Sequence, residues 1–369
     1  MTDSTFAIVT GGGTAGHVLP ALAIADALVA AGHPRESIHY AGAERGIEAR
    51  LVPPTGYPLT LMPLRGFQRR LTVANLGALV DLLRSVVRAF TLLRRLRPSV
   101  VIAVGGYASG AVGLAAVLRR VPIVVAEQNL VPGAANRLLA RFAKASAVSF
   151  AGTPLPRAVT TGNPIRAEIS SLDPERDRAQ AKRAFGVAAD RSLVLVFGGS
   201  LGALRINEAT VEAARIWSAR GDLTLHHVVG RRDWDAISAM PVPEGALERR
   251  LVPYEERMPL ALAAADVAVC RSGSSACFEL AAAALPAVLV PSPYVTADQQ
   301  TGNAQILVDG GAAVLVPDDE LDGPRLVAEV DGILSDPQRR QRMAASARGL
   351  ARPDAASAIA RLAIEHARG

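Results

Sequence analysis

A histidine directly behind a glycine turn is well placed to move a proton. Near the N-terminus the chain reads Gly11-Gly12-Gly13-Thr14-Ala15-Gly16-His17, after an apolar run at 6–10 and before a helical pattern near Pro20. A strand, a glycine turn and a helix start leave backbone N–H groups and the positive end of the helix dipole facing a ligand, which is an anion site. The loose G-x-G-x-x-G spacing from Gly11 is a weak signal by itself, and no clear acidic residue ends the second strand, SIHYAGAERG, as a dinucleotide site requires. His17 would project from this turn, where it fits either a general base or a structural histidine.

Two more glycine turns follow strand-like runs: Gly105-Gly106-Tyr107-Ala108-Ser109-Gly110, and Gly198-Gly199-Ser200-Leu201-Gly202-Ala203 ahead of Asn207. Each alone is ordinary; the set suggests phosphate-rich ligands. The stretch Cys270-Arg271-Ser272-Gly273-Ser274-Ser275-Ala276-Cys277-Phe278-Glu279 reads as a strand end, a small-residue turn and a helix opening near Ser275. Its amides would suit a pyrophosphate, and Glu279, about one turn in, a ribose diol. As a plain helix-dipole partner Glu279 would contribute only ~0.3–1 kcal/mol. Asp298, Gln299, Gln300 and Asn303 offer carboxylate and amide groups for sugar hydroxyls, or an ordinary polar helix start.

Positioning these turns requires strands that end at them. Apolar runs at 6–10, 37–41, 59–63, 100–104, 123–126 and 147–150 alternate with helical patterns such as 20–31 and 112–119. A second set lies at 193–197, 223–229, 250–253, 267–270, 287–290 and 314–316. Short, continuous apolar runs fit parallel strands covered on both faces. The expected fold is α/β: two Rossmann-like, doubly wound parallel-sheet domains with an interdomain cleft. The polar, proline-bearing stretch 162–177 reads as the linker, and a last helix at 355–367 could pack on either domain.

A chain of 369 residues suits two domains. Hydrophobic residues at 50% exclude a disordered chain, and aromatics at 4% argue against a base-stacking surface. Net charge +6 points to an anionic partner without choosing among phosphate, nucleic acid and lipid; no recognition motif supports nucleic acid. Cys270 and Cys277 lack any CxxC or Cys/His companion and read as reduced, buried thiols. No signal peptide is expected from MTDSTFAIVTGGG. The uncharged run 98–118 is long enough to span a bilayer, but its GGYASG interruption predicts a buried strand, a loop and a buried helix.

In this order, the strings GGGTAGHVLPALAIA, GGYASG, AEQNLVPGAANR, TGNPIR, GGSLGALRINE, CRSGSSACFELAAAALPAVLVP and DQQTGNA resemble the MurG family along nearly the whole chain. That family, of the two-Rossmann GT-B type, converts lipid I to lipid II in peptidoglycan synthesis. The resemblance implies an acceptor-binding, membrane-associating domain at 1–165, on which 352–369 could pack back, and a UDP-N-acetylglucosamine domain at 166–351. It places Glu279 on the ribose and Ser274, Ser275 and Ala276 near the diphosphate, with Ser200 and Arg166 also approaching phosphate. It brings Asn129, Asn207, Gln299 and Gln300 to the sugar or its pocket, and the backbone near Tyr254 and Glu255 to the uracil edge. Thr14, Ala15 and Gly16 join the donor set; Gly13, Gly105, Gly106, Tyr107 and Glu127 face the acceptor, and His17 becomes the base. Leu201 stands where many members carry Gln, so no contact is assigned to it.

The implied reaction inverts the donor's anomeric carbon. No Asp-x-Asp motif sits in a plausible metal loop, so no tightly bound metal is expected, with a divalent cation stimulatory at most. Expected partners are UDP-N-acetylglucosamine, lipid I, anionic inner-leaflet lipids and proteins of wall synthesis and division, with no nucleic acid. The expected location is the cytoplasmic face of the bacterial membrane, held peripherally through Phe67 and Leu71 in an arginine-ringed loop. The helical stripe Leu76, Leu79, Val80, Leu83, Val87, Phe90 and Leu93 reads mostly as core-facing. Rival functions are a UDP-N-acetylglucosamine 2-epimerase, another GT-B glycolipid glycosyltransferase, and a noncatalytic UDP- or lipid-binding module; the acceptor-side glycine turns argue against the epimerase.

Overall fold

The computed structural model describes residues 5–64, 73–199 and 202–368. The chain divides into unit 1, Met1–Arg166 with Pro353–Gly369, and unit 2, Ala167–Arg352.

The strands of unit 1 are β1 (Ala7–Gly11), β2 (Ile38–Ala43), β3 (Leu59–Met62), β4 (Val100–Gly105), β5 (Ile123–Glu127), β6 (Ala145–Val148) and β7 (Ala158–Thr160). They form one seven-stranded sheet in the order β3-β2-β1-β4-β5-β6-β7, parallel at every pairing. Its early helices are α1 (Ala15–Ala30), α2 (Glu48–Leu51), α3 (Val73–Leu96), α4 (Gly106–Leu118) and α5 (Ala134–Leu139). Unit 2 carries α6 (Ala167–Ser170), α7 (Pro174–Ala184), α8 (Leu204–Ile216), α9 (Trp234–Ser238), α10 (Met258–Ala264), α11 (Ser274–Ala282), α12 (Gln299–Asp309), α13 (Gly323–Leu334) and α14 (Pro337–Leu350). Its sheet, β8 (Ser192–Phe197), β9 (Leu223–Val228), β10 (Glu248–Val252), β11 (Val267–Cys270), β12 (Ala287–Leu289) and β13 (Ala313–Leu315), runs β10-β9-β8-β11-β12-β13. The last helix, α15 (Ala355–Glu365), belongs to unit 1.

Alternation of side chains across each strand explains the continuous apolar runs. In unit 1, Ala7 and Val9 face one core with α1, whereas Ile8 faces the other with α3 and α4. Helix α15 closes the first of these cores: Ile359, Ala360 and Ala363 are buried beside Val9, Ile24 and Ile102. Just beyond it, the Arg368 N–H donates to the Ser99 carbonyl at 3.0 Å.

Three expectations change here. The stretch 162–177 is not a plain linker, because α6 and the start of α7 lie within it and belong to unit 2. The Gly-Gly-Tyr-Ala-Ser-Gly segment is not an extended loop. The turn is confined to Gly105 and Gly106, both at positive φ, and α4 begins at Gly106. Within α3 the inward seam is Leu82, Val86, Ala89, Leu93 and Leu96, which leaves Val80, Leu83 and Val87 exposed at 41%, 60% and 67%. Both stripes have helical spacing, so periodicity could not say which one meets the sheet. No described helix is long and apolar enough to cross a membrane.

Candidate functional site

In each sheet the strand order reverses once, between β1 and β4 in unit 1 and between β8 and β11 in unit 2. Helices leave such a pair toward opposite faces, opening a crevice at the carboxyl ends where ligands of open α/β sheets bind. The glycine turns of the sequence lie at these two places.

In unit 1 the turns after β1 and β4 touch. Gly12 N–H donates to the Gly105 carbonyl at 3.3 Å. A Cβ on Gly106 would stand 2.3 Å from the Gly12 carbonyl oxygen, at φ +83. The Ser109 hydroxyl reinforces the junction, accepting from Gly105 N–H at 3.0 Å with the Thr10 carbonyl 2.6 Å away.

His17 lies in the first turn of α1, half-buried, its Nδ1 3.3 Å from Thr14 Oγ1. Its Nε2 edge faces Gly105, where an added Cβ would come within 2.9 Å. Burial lowers the imidazole pKa from its ordinary value; the Glu127 charge, hydrogen bonding to the Gly12 backbone and the Glu48 charge each oppose that shift. The neutral ring is therefore favoured, and the nearby carboxylates would stabilise the imidazolium once it forms.

Glu127 ends β5 almost fully buried, and its carboxylate organises the next turn. It accepts from Asn129 N–H at 3.0 Å, Gly133 N–H at 3.0 Å and Asn136 Nδ2 at 2.9 Å. Asn129 is half-buried; Gly13, Thr14, Gly16 and Tyr107 are exposed, and Ala15 is half-buried. The sequence-predicted residues of the first domain thus gather at the ends of β1, β4 and β5.

Glu48 was not among them. It is fully buried in α2, with Oε2 accepting from Gly13 N–H at 3.0 Å and Oε1 from Ala43 N–H at 2.6 Å. The Gly13 amide expected to face the acceptor is therefore already engaged. The signal was present as an acidic residue five positions beyond β2, in the run Gly42-Ala43-Glu44-Arg45-Gly46 and on to Glu48.

In unit 2, Gly199 and Gly202 turn the chain at φ +88 and +82 after β8, while Ser200 and Leu201 lie outside the described residues. After β11, Gly273 caps α11 without a side-chain hydrogen bond, so the amides of Ser274, Ser275 and Ala276 open the helix. Arg271 pairs with Asp318, and its Nη1 donates to the Val290 and Pro291 carbonyls at 3.1 and 3.0 Å. The Ser272 hydroxyl donates to the Gln300 carbonyl at 2.9 Å, and Gln300 Oε1 accepts from Ser292 N–H at 2.8 Å. This network joins α11 to the start of α12, where Gln299 and Glu279 stand half-buried.

Two residues expected at the sugar or its pocket have side-chain groups engaged within unit 2. Asn207 is fully buried: its Nδ2 donates to the Val229 carbonyl and Asp233, and its Oδ1 meets His227 Nε2 at 2.9 Å. It anchors the β9 end from inside the unit. Gln300 likewise spends its carbonyl oxygen on the turn beside it. Glu255 also turns inward, to His226 Nε2 at 2.9 Å and Arg257 N–H at 2.8 Å, whereas Tyr254 is exposed at 50%. Arg166, half-buried, ends unit 1.

Cys270 and Cys277 are unpaired and buried, and burial pushes the Cys277 thiol up to about 12. Phe67 and Leu71 lie outside the described residues. Among the described residues no group of three His, Cys, Asp or Glu could hold a metal ion.

Comparison with known proteins bears on both units. Residues 7–148 match the glycosyltransferase family 28 N-terminal domain and residues 193–359 its C-terminal domain. A UDP-N-acetylglucosamine–N-acetylmuramyl-(pentapeptide) pyrophosphoryl-undecaprenol N-acetylglucosamine transferase of Desulforudis audaxviator is 38% identical, covering 95% of this chain and 96% of its own. A transferase of the same description from a Nocardioides species is 42% identical over 97% of each chain. The crystal structure of MurG from Acinetobacter baumannii superposes with a TM-score of 0.78 at 29% identity, covering 98% of this chain and 99% of that one.

Proposed function

This chain belongs to the MurG family of family 28 glycosyltransferases, and from that membership we infer that it transfers N-acetylglucosamine from UDP-N-acetylglucosamine to the muramyl sugar of the undecaprenyl-pyrophosphoryl precursor, lipid I, giving lipid II. The observation that carries this reading over an epimerase or a binding module is end-to-end similarity to transferases of that activity.

Unit 2 takes the donor. Its α11 N-terminus offers amides to the diphosphate, Glu279 accepts from the ribose diol, and the Tyr254–Glu255 backbone lies on the uracil side. The Glu255 carboxylate serves by holding that backbone from within. Unit 1 takes the acceptor at the joined turns after β1 and β4.

The muramyl C4 hydroxyl attacks the anomeric carbon opposite UDP, so the C–O bond to the diphosphate breaks as the β-glycosidic bond forms. In the tautomer whose Nδ1–H donates to Thr14 Oγ1, His17 Nε2 holds the lone pair that removes the hydroxyl proton. Amides at α11 and Arg166 meet the charge growing on the departing UDP, without a tightly bound metal. Incubating the protein with UDP-N-acetylglucosamine and a short-chain lipid I analogue tests the stereochemistry. The anomeric proton of the product should show β coupling; an α product would exclude the inverting mechanism.

Membrane contact belongs to unit 1. Val80, Leu83 and Val87 on α3 and Leu114 and Leu118 on the adjacent α4 are exposed, with Arg84, Arg88, Arg119 and Arg120 among them. Apolar side chains amid arginines suit the anionic inner leaflet. We propose that they add to the contact expected of Phe67 and Leu71 and hold the protein peripherally at the cytoplasmic face, beside wall-synthesis and division proteins.

A further inference from the structure

Glu48 is built into unit 1 more completely than a surface helix of four residues requires. Its side chain is fully buried, and three glycines leave it room. A Cβ on Gly12, Gly42 or Gly46 would stand 2.2, 2.5 or 2.0 Å from its atoms. Both carboxylate oxygens accept backbone N–H groups, from Gly13 on the turn carrying His17 and from Ala43 at the end of β2. Beside it, the Tyr40 hydroxyl donates to the Gly11 carbonyl at 2.7 Å. No ion pair to Glu48 is formed among the described residues, so backbone dipoles alone offset its charge.

We propose that Glu48 is a positioning residue for His17: it fixes the Gly12–Gly13 turn from beneath and supplies negative charge to the imidazole as that ring takes up a proton. The proposal rests on His17 being the base. Bracing alone needs two acceptors, one for Gly13 N–H and one for Ala43 N–H, which a carboxylate offers and an amide does not; losing one would lower kcat without moving the pH profile. A carboxylate that also stabilises the imidazolium acts through its field, which is strong in a buried site. Glu48 and Glu127 are the carboxylates whose charge acts on His17 in this way, and both favour its protonated form. Glu127 acts on the ring more strongly than Glu48, but its oxygens organise the turn after β5, whereas those of Glu48 hold the turn that carries His17.

The test compares wild type, Glu48→Gln and His17→Asn in acceptor-dependent UDP release across pH, with UDP affinity and melting temperature as controls. Glu48→Gln should lower kcat about tenfold or more and leave UDP affinity and the KM for UDP-N-acetylglucosamine unchanged. It should also move the acid limb of the pH profile to lower pH, since removing an anion disfavours the imidazolium. A wild-type kcat, or a loss of kcat with an unmoved acid limb, would overturn the proposal. His17→Asn with wild-type turnover would instead sink the base assignment itself. If Glu48→Gln does not fold, Glu48→Asp keeps the charge but withdraws it from Gly13. Its kcat should then fall, and a wild-type kcat would overturn the proposal.

Discussion

Replacing His17 with asparagine keeps a polar side chain beside Thr14 but removes the proton acceptor. General-base losses of about 10²–10⁴ in turnover are expected, with UDP affinity unchanged because the donor is held by unit 2; equal turnover would remove His17 from the chemistry. Gly105→Ala should act through the same ring. Its methyl would press within 2.9 Å of the imidazole at φ +114, so kcat should fall, and the backbone strain should cost on the order of 1 kcal/mol in denaturant unfolding. An unchanged kcat would mean His17 tolerates displacement. Residue types and spacing pointed to His17 and Gly105, because glycine turns after strands constrain where side chains go, and the resemblance added Glu127. They did not point to Glu48, whose partners are backbone amides brought to it by folding. Residue chemistry offered Gln300 to sugar hydroxyls, and the resemblance brought Asn207 to the sugar or its pocket; neither carries information on whether an amide is already spent.

At the scale of elements, α15 is distant in sequence from the core it completes. Ile359→Ala would leave a void against Val9 and Ile24 and should destabilise unit 1 by about 2–5 kcal/mol. UDP binding by unit 2 should persist, as calorimetry and a melting curve would show; loss of both together would mean the units unfold as one. Leu83→Glu with Val87→Glu should weaken sedimentation with anionic vesicles while sparing transfer to a water-soluble acceptor. Equal sedimentation would move the contact off α3. Parallel strands were readable because burial on both faces writes continuous apolar runs. The edge strand β7 is exposed along its length and wrote none. Where α4 begins was misread because small residues permit both a loop and a close-packed helix. Gly113, facing Leu139 so closely that a Cβ would come within 2.4 Å, belongs to the second case.

For the whole molecule, buried histidines make stability depend on pH. Burial, then the Arg95 charge, lowers His39 to about 4, and burial, then Arg249 and His226, lowers His227 to about 3. Each contribution is fully present above the unfolded value of 6.5 and lost as pH falls toward the folded values, because the unfolded chain binds protons the native one refuses. The slope is about 1.4 kcal/mol per pH unit for each histidine. Urea unfolding between pH 7 and 4.5, run on wild type and His227→Gln, should show the shallower dependence in the variant; parallel curves would exclude His227. Two sheets, each reversing its strand order once, were foreseen from alternating patterns, and the return of α15 to unit 1 was left open because its apolar face would suit either core. The most direct test of the whole reading is UDP release from UDP-N-acetylglucosamine with and without a short-chain lipid I analogue. Release that requires the analogue and yields a disaccharide-lipid is expected, and release at the same rate without it would contradict the assignment of this chain as a lipid I transferase.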